Sequence, residues 1–169
     1  MKKKLLSFCL LTALSAAVGH AQTTADIGCL KYQLNADDQT ATVTDLVALP
    51  EDSIVRIPET VTQDNVTYTV VEIGDRAFQG STFNQTDRET LLQVKRITIA
   101  KTVRRIGEGA FSIPGNINGG AYNTCALRAI TFDEGSQLQE LGKQAFGTSC
   151  LNEIDLPEGL KVIGEETRV

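Results

Sequence analysis

Val103-Arg104-Arg105-Ile106-Gly107-Glu108-Gly109-Ala110-Phe111 decides the reading of this chain, because the pattern it carries returns three more times. It stands earlier as Val70-Val71-Glu72-Ile73-Gly74-Asp75-Arg76-Ala77-Phe78 and later as Leu138-Gln139-Glu140-Leu141-Gly142-Lys143-Gln144-Ala145-Phe146. A last copy, Leu160-Lys161-Val162-Ile163-Gly164-Glu165-Glu166-Thr167-Arg168, has Thr and Arg where Ala and Phe are expected. Self-similarity of this kind marks a repeat architecture, in which each unit buries its apolar face against its neighbours.

Upstream of three copies runs a second pattern of spaced aliphatics: Val94, Ile97 and Ile99; Leu127, Ile130 and Phe132; Leu151, Ile154 and Leu156. Two-residue alternation is what a strand needs when one face is core and the other is solvent. Each unit is therefore expected to give one strand to a stacked parallel sheet, in a mainly β solenoid of about four coils. Residues 97, 99, 130, 154 and 156 are expected to be buried, with Phe132 in the slot of Ile99. Phe78, Phe111 and Phe146 should stack in one row inside. The glycines at 74, 107, 142 and 164 follow the last aliphatic and mark either a positive φ or a close approach between coils.

These residues resemble a known family. Ile-Gly-x-x-Ala-Phe, preceded by strands such as Ile54-Val55-Arg56-Ile57-Pro58 or Ile154-Asp155-Leu156-Pro157, is similar to the BspA-like leucine-rich repeat of exported bacterial surface proteins, over about Val55 to Val169. The stretch from Tyr32 to Leu46 is similar to the leader strands that open such proteins. The resemblance implies a right-handed solenoid with short turns or helical insertions, used for surface adhesion or binding of a host protein, with no catalytic residues to carry over.

Composition bounds the rest. The chain has 169 residues, 41% hydrophobic and 22% charged, which suits one folded unit. Residues 1–21 read as a signal peptide: Lys2, Lys3 and Lys4, an apolar run from Leu5 to Val18, then Gly19-His20-Ala21. Residues 22–54 are then a leader or cap and residues 55–169 the solenoid, with an incomplete last coil. That run is short for a membrane span, so export to the cell surface, the medium or the periplasm is expected, without membrane insertion. Cleavage after Ala21 removes His20, the only histidine, and three lysines, taking the net charge of −5 to −8. No imidazole then remains for a Ser-His-Asp triad or a His-ligated metal, and no cofactor or metal site is expected. The acidic balance argues against nucleic acid.

The expected partner is an extracellular protein or glycan. Two insertions of equal length lie at the same point of adjacent coils, Gln79 to Gln93 and Ser112 to Ala126. Their Phe83, Asn84, Asn116, Asn118 and Tyr122 form the first candidate contact surface, since recognition often sits on loops carried by a rigid scaffold. The same segments also read as packing material, with Thr86 to Leu92 a helical turn that lays Leu91 and Leu92 over the coil. A second candidate is the exposed strand face: Arg56, Thr98, Thr131 and Asp155, with Arg96 two positions before Thr98. Charge there runs from basic to acidic, with Lys95, Lys101, Arg104 and Arg105 at one end and Asp133, Glu134 and Glu158 at the other.

Cys125 and Cys150 each precede a strand in adjacent coils and are expected to be neighbours; export permits a disulfide, but their offsets to the following core isoleucine differ, five residues against four, so the spacing does not assure its geometry. The uncapped last coil offers end-to-end self-association. Two other readings stay open: a parallel β-helix enzyme that degrades polysaccharide with Asp or Glu, and a shortened remnant without a ligand of its own.

Overall fold

A computed structural model describes residues 22–79, 90–112, 127–147, 149, 151 and 154–167. Strands β1 (Gln22–Ile27), β2 (Leu30–Asn35) and β3 (Thr40–Leu46) form an antiparallel meander. Strict alternation builds it: Leu30, Tyr32 and Leu34 are buried while Lys31, Gln33 and Asn35 face outward. Gly28, at φ +63°, opens the two-residue turn between β1 and β2, a conformation that costs glycine little.

The repeats follow as β4 (Ile54–Ile57), β5 (Thr60–Gln63), β6 (Val66–Ile73), β7 (Arg96–Ile99), β8 (Arg105–Ile106), β9 (Ala129–Phe132), β10 (Glu140–Leu141) and β11 (Val162–Ile163). The expectation of one strand per unit is corrected: a full coil supplies two. The aliphatic pattern forms the three-stranded parallel sheet β4-β7-β9, and the segment before each glycine forms the parallel run β6-β8-β10-β11. The separation arises because a polar turn lies between the two apolar patterns, so each coil bends and closes a core between two sheets. The meander continues the second sheet, β3 pairing parallel with β6, while β5 folds back on β6 through Asp64 and Asn65, both at positive φ as a type I′ turn requires.

The coil corner explains the glycines. Gly107, Gly142 and Gly164 have ordinary φ but no room: a β-carbon on Gly142 would sit 2.5 Å from the nitrogen of Glu108 and 2.6 Å from the carbonyl carbon of Gly107. Close approach, rather than positive φ, is what the glycine serves. The left-handed residue comes two positions later, at Arg76, Gly109, Gln144 and Glu166, with φ between 52° and 59°. There the chain turns Ala77, Ala110 and Ala145 inward, and the following phenylalanines stack as expected. Phe78 and Phe111 have ring centroids 5.2 Å apart, and Phe111 and Phe146 5.6 Å apart with planes 3° from parallel. Main-chain bonds run coil to coil beside them, Phe78 N–H to Ala110 C=O at 2.7 Å and Phe111 N–H to Ala145 C=O at 2.8 Å.

The last coil departs from the expectation. Ile97, Ile99 and Ile130 are buried, but Ile154 and Leu156 are only half-buried, as is Phe132, although Phe132 does pair in register with Ile99. No hydrogen bond between described residues joins 154–157 to β9, so the first sheet stops at β9 while the second continues to β11. On β11, Val162 and Ile163 are each 53% exposed, and the hydroxyl of Thr167, where alanine stands in other coils, donates to the Gly142 carbonyl at 3.0 Å.

Candidate functional site

Strand pairing sets the exposed face of the first sheet. Arg56, Thr98 and Thr131 are in register across β4, β7 and β9, and Arg96 lies between Ile54 and Ala129 one row earlier. Arg56, Arg96, Thr131 and Asp155 are exposed and Thr98 is half-buried. The four-residue row ends at Thr131, because Asp155 does not join the ladder.

Between β9 and residues 155–159 lies a cleft of about 530 Å³, with Ile130, Phe132 and Leu156 as its apolar lining and Asp133, Asp155 and Glu158 as its acids. Asp133 N–H donates to the Ile99 carbonyl at 3.0 Å, toward β7. Because successive residues of a parallel strand direct their peptide groups to opposite sides, those of Ile130 and Phe132 turn to the cleft. The sequence set Asp133 and Glu158 at one acidic end, and folding brings both to one cleft with Asp155.

Folding reduces the basic end. Arg56 pairs with Asp52 at 2.7 Å, and that hydrogen bond holds the Asp52 carboxyl below the usual carboxylate range. Lys101 pairs with Glu59 at 3.1 Å, and Arg104 and Arg105 lie on the other sheet, with Arg105 in β8. Lys95, Arg96 and Arg128 remain as exposed cations on the first sheet.

The second sheet carries a row that sequence reading missed. Thr24, Gln33, Thr42, Glu72, Arg105, Glu140 and Val162 pair in succession from β1 to β11. Arg105 at its centre binds Glu72 on one side, Glu140 at 3.2 Å on the other, and Asp75 at 3.1 Å. The signal was present as Glu, Arg and Glu at one position of three successive repeats. Beside this row a polar cleft of about 460 Å³ opens between the meander and β8.

Phe83, Asn84, Asn116, Asn118 and Tyr122 lie outside the described residues, as do Cys125 and Cys150 and residues 1–21. The far end of the first insertion is described: Leu91 is buried and Leu92 half-buried against the core. Cys29 is a half-buried free thiol that burial pushes up. Among the described residues no group of three His, Cys, Asp or Glu side chains could hold a metal ion, and no helix is long and apolar enough to cross a membrane.

Three coils each supply two strands and a stacked phenylalanine at the corner, the last coil only β11. Residues 115–167 match the BspA type leucine rich repeat region. Residues 115–167 therefore carry BspA-type leucine-rich repeats. Solved structures of the same architecture include a leucine-rich repeat protein from Bacteroides capillosus, at 23% identity and TM-score 0.54, over 84% of this chain and 98% of that one. A leucine rich cell surface protein from Faecalibacterium prausnitzii matches at 25% identity and TM-score 0.56, over 87% of this chain and 40% of its own. The pneumococcal vaccine antigen PcpA matches at 25% identity and TM-score 0.62, over 86% of this chain and 35% of its own. The chain thus spans nearly all of the first and less than half of the other two. No curated protein matches it.

Proposed function

We propose that this chain is a non-catalytic binding module exported to the cell surface, and that its partner is an extracellular protein or glycan. The observation that carries this reading is the cleft beside β9, where the peptide groups of Ile130 and Phe132, an apolar lining and three carboxylates meet at the end of a rigid in-register sheet face. A rigid scaffold presenting strand-edge main-chain groups beside apolar and charged side chains suits an extended protein segment. Two solved relatives of the same fold are described as a cell surface protein and a vaccine antigen, which supports the location.

The test is a binding screen of the full chain against arrays of extracellular-matrix proteins and glycans. A ligand captured by the wild type and lost in Asp155→Lys with Glu158→Lys supports the reading; capture unchanged by both charge reversals moves the site elsewhere.

A second reading has one observation behind it: Asp133, Asp155 and Glu158 line the same cleft, as a carboxylate-based polysaccharide hydrolase would need. Release of reducing sugar that disappears in Asp155→Asn would establish it over the first.

A further inference from the structure

The polar cleft on the second sheet lies apart from β9 and uses none of its residues. Its floor is the outward face of β2 and β3, with Gln33 beside Thr42 and Asn35 beside Thr40. Strand spacing places such side chains on a grid of about 4.8 Å by about 7 Å, the scale of a sugar ring. The hydrogen-bonding capacity left over is specific. Arg105 is taken by Glu72, Asp75 and Glu140, and its network fixes that wall. Arg104, exposed next to it, donates through Nε to Gln137 at 3.4 Å, leaving both Nη groups without an acceptor among the described residues. Asp38 accepts from the Thr40 N–H and hydroxyl through Oδ1 alone, which leaves Oδ2. Gln33 donates to Gln22, which leaves the Gln22 amide N–H and the Gln33 oxygen; Asn35 accepts from Asp37, which leaves its own amide N–H.

We infer that this cleft binds a carboxylate-bearing sugar, its carboxylate on the Nη pair of Arg104 and its hydroxyls on Asp38, Asn35 and the Gln22 and Gln33 amides. A planar guanidinium matches a carboxylate with two parallel bonds, and a free carboxylate oxygen accepts from a ring hydroxyl. Charges outside the cleft are screened beyond about 8 Å at physiological salt; inside it Glu72 is paired with Arg105 and Asp38 is the hydroxyl acceptor, which leaves Arg104 as the cation for the carboxylate.

The experiment titrates the full chain with a glucuronate-terminated disaccharide, free glucuronate and the matching glucose-terminated disaccharide, read by calorimetry or NMR. Expected is saturable binding of the glucuronate disaccharide, at least tenfold weaker for the glucose form and for Arg104→Ala, and partly kept in Arg104→Lys. Weaker binding by free glucuronate would place some of the contact on the second ring; equal binding would confine the site to one ring, and both outcomes support an acidic-sugar site. Equal affinity for the glucose form, affinity unchanged in Arg104→Ala, or no binding at millimolar ligand overturns it. Asp155→Lys is the separating control: it disturbs the β9 cleft and should leave glucuronate binding as it was, and loss of that binding would overturn the assignment to Arg104.

Discussion

A β-carbon on Gly142 would lie 2.5 Å from the backbone nitrogen of Glu108, one coil away. That contact is backbone against backbone, so no side chain can rotate aside and the coils themselves must move apart. Gly142→Ala should cost about 1–3 kcal/mol. The thermal midpoint should then fall by roughly 2–4 °C per kcal/mol. Gly135→Ala, at φ +75° with open space around it, isolates backbone strain and should cost about 1 kcal/mol. Calorimetry on the pair separates crowding from conformation; a Gly142→Ala loss smaller than that of Gly135→Ala would sink the close-approach account.

Phe111 touches a ring on each side, whereas Phe78 and Phe146 each have one described ring neighbour. Phe111→Ala should therefore be the most damaging of the three, at about 3–5 kcal/mol. Urea denaturation of the three alanine variants checks the order, and Phe111→Leu should recover some of the loss by filling volume without restoring the stack.

Removing Arg105 leaves Glu72 and Glu140 on the strands either side of residue 105, with Asp75 close by. Like charges in register destabilise a sheet, and Arg105→Met should cost about 1 kcal/mol at low salt. Added salt should narrow the gap by screening the carboxylates. A gap that widens with salt would contradict the network as described.

Asp75 accepts from the Glu108 N–H at 2.9 Å, and this bond, helped by Arg105, holds its carboxyl below the ordinary range. A lowered folded pKa contributes stability that is full above the unfolded value of about 3.9 and is lost as pH falls through the folded value. Wild type should thus lose stability more steeply below about pH 4 than Asp75→Asn, which a series of thermal melts from pH 6 to pH 2.5 would show.

Burial pushes the Tyr32 hydroxyl up to about 12. The neutral phenol is favoured by folding, so its contribution is complete below about pH 10 and fades as pH rises toward the folded value. Absorbance at the tyrosinate band should show a late component near pH 12, and Tyr32→Phe should delete it.

How much of this was legible follows from what repetition encodes. The phenylalanine row and the paired aliphatics could be read because identical side chains at one repeat position must share one environment. The second sheet could not, since β8, β10 and β11 are two residues long and carry too little alternation to register as strands. The glycine corner was half-read: Gly107 signals a special backbone, but the left-handed turn falls on Arg76, Gln144 and Glu166, whose side chains give no hint of it. The charge gradient misled because Arg56 and Lys101 meet partners, Asp52 and Glu59, that belong to turns rather than to the strand pattern. The polar cleft needs the meander and the repeats together, and only the fold sets Asp38 and Arg104 around one space.

The bonds from Gly107 to Ile73, from Gly142 to Ile106 and from Gly164 to Leu141 all join one coil to the next. Tension applied along the stack would reach them in series, so the coils would separate in turn, each releasing a length of chain. A stack drawn out from its two ends would lengthen stepwise, and coils that come back together would stack again on the exposed phenylalanine below.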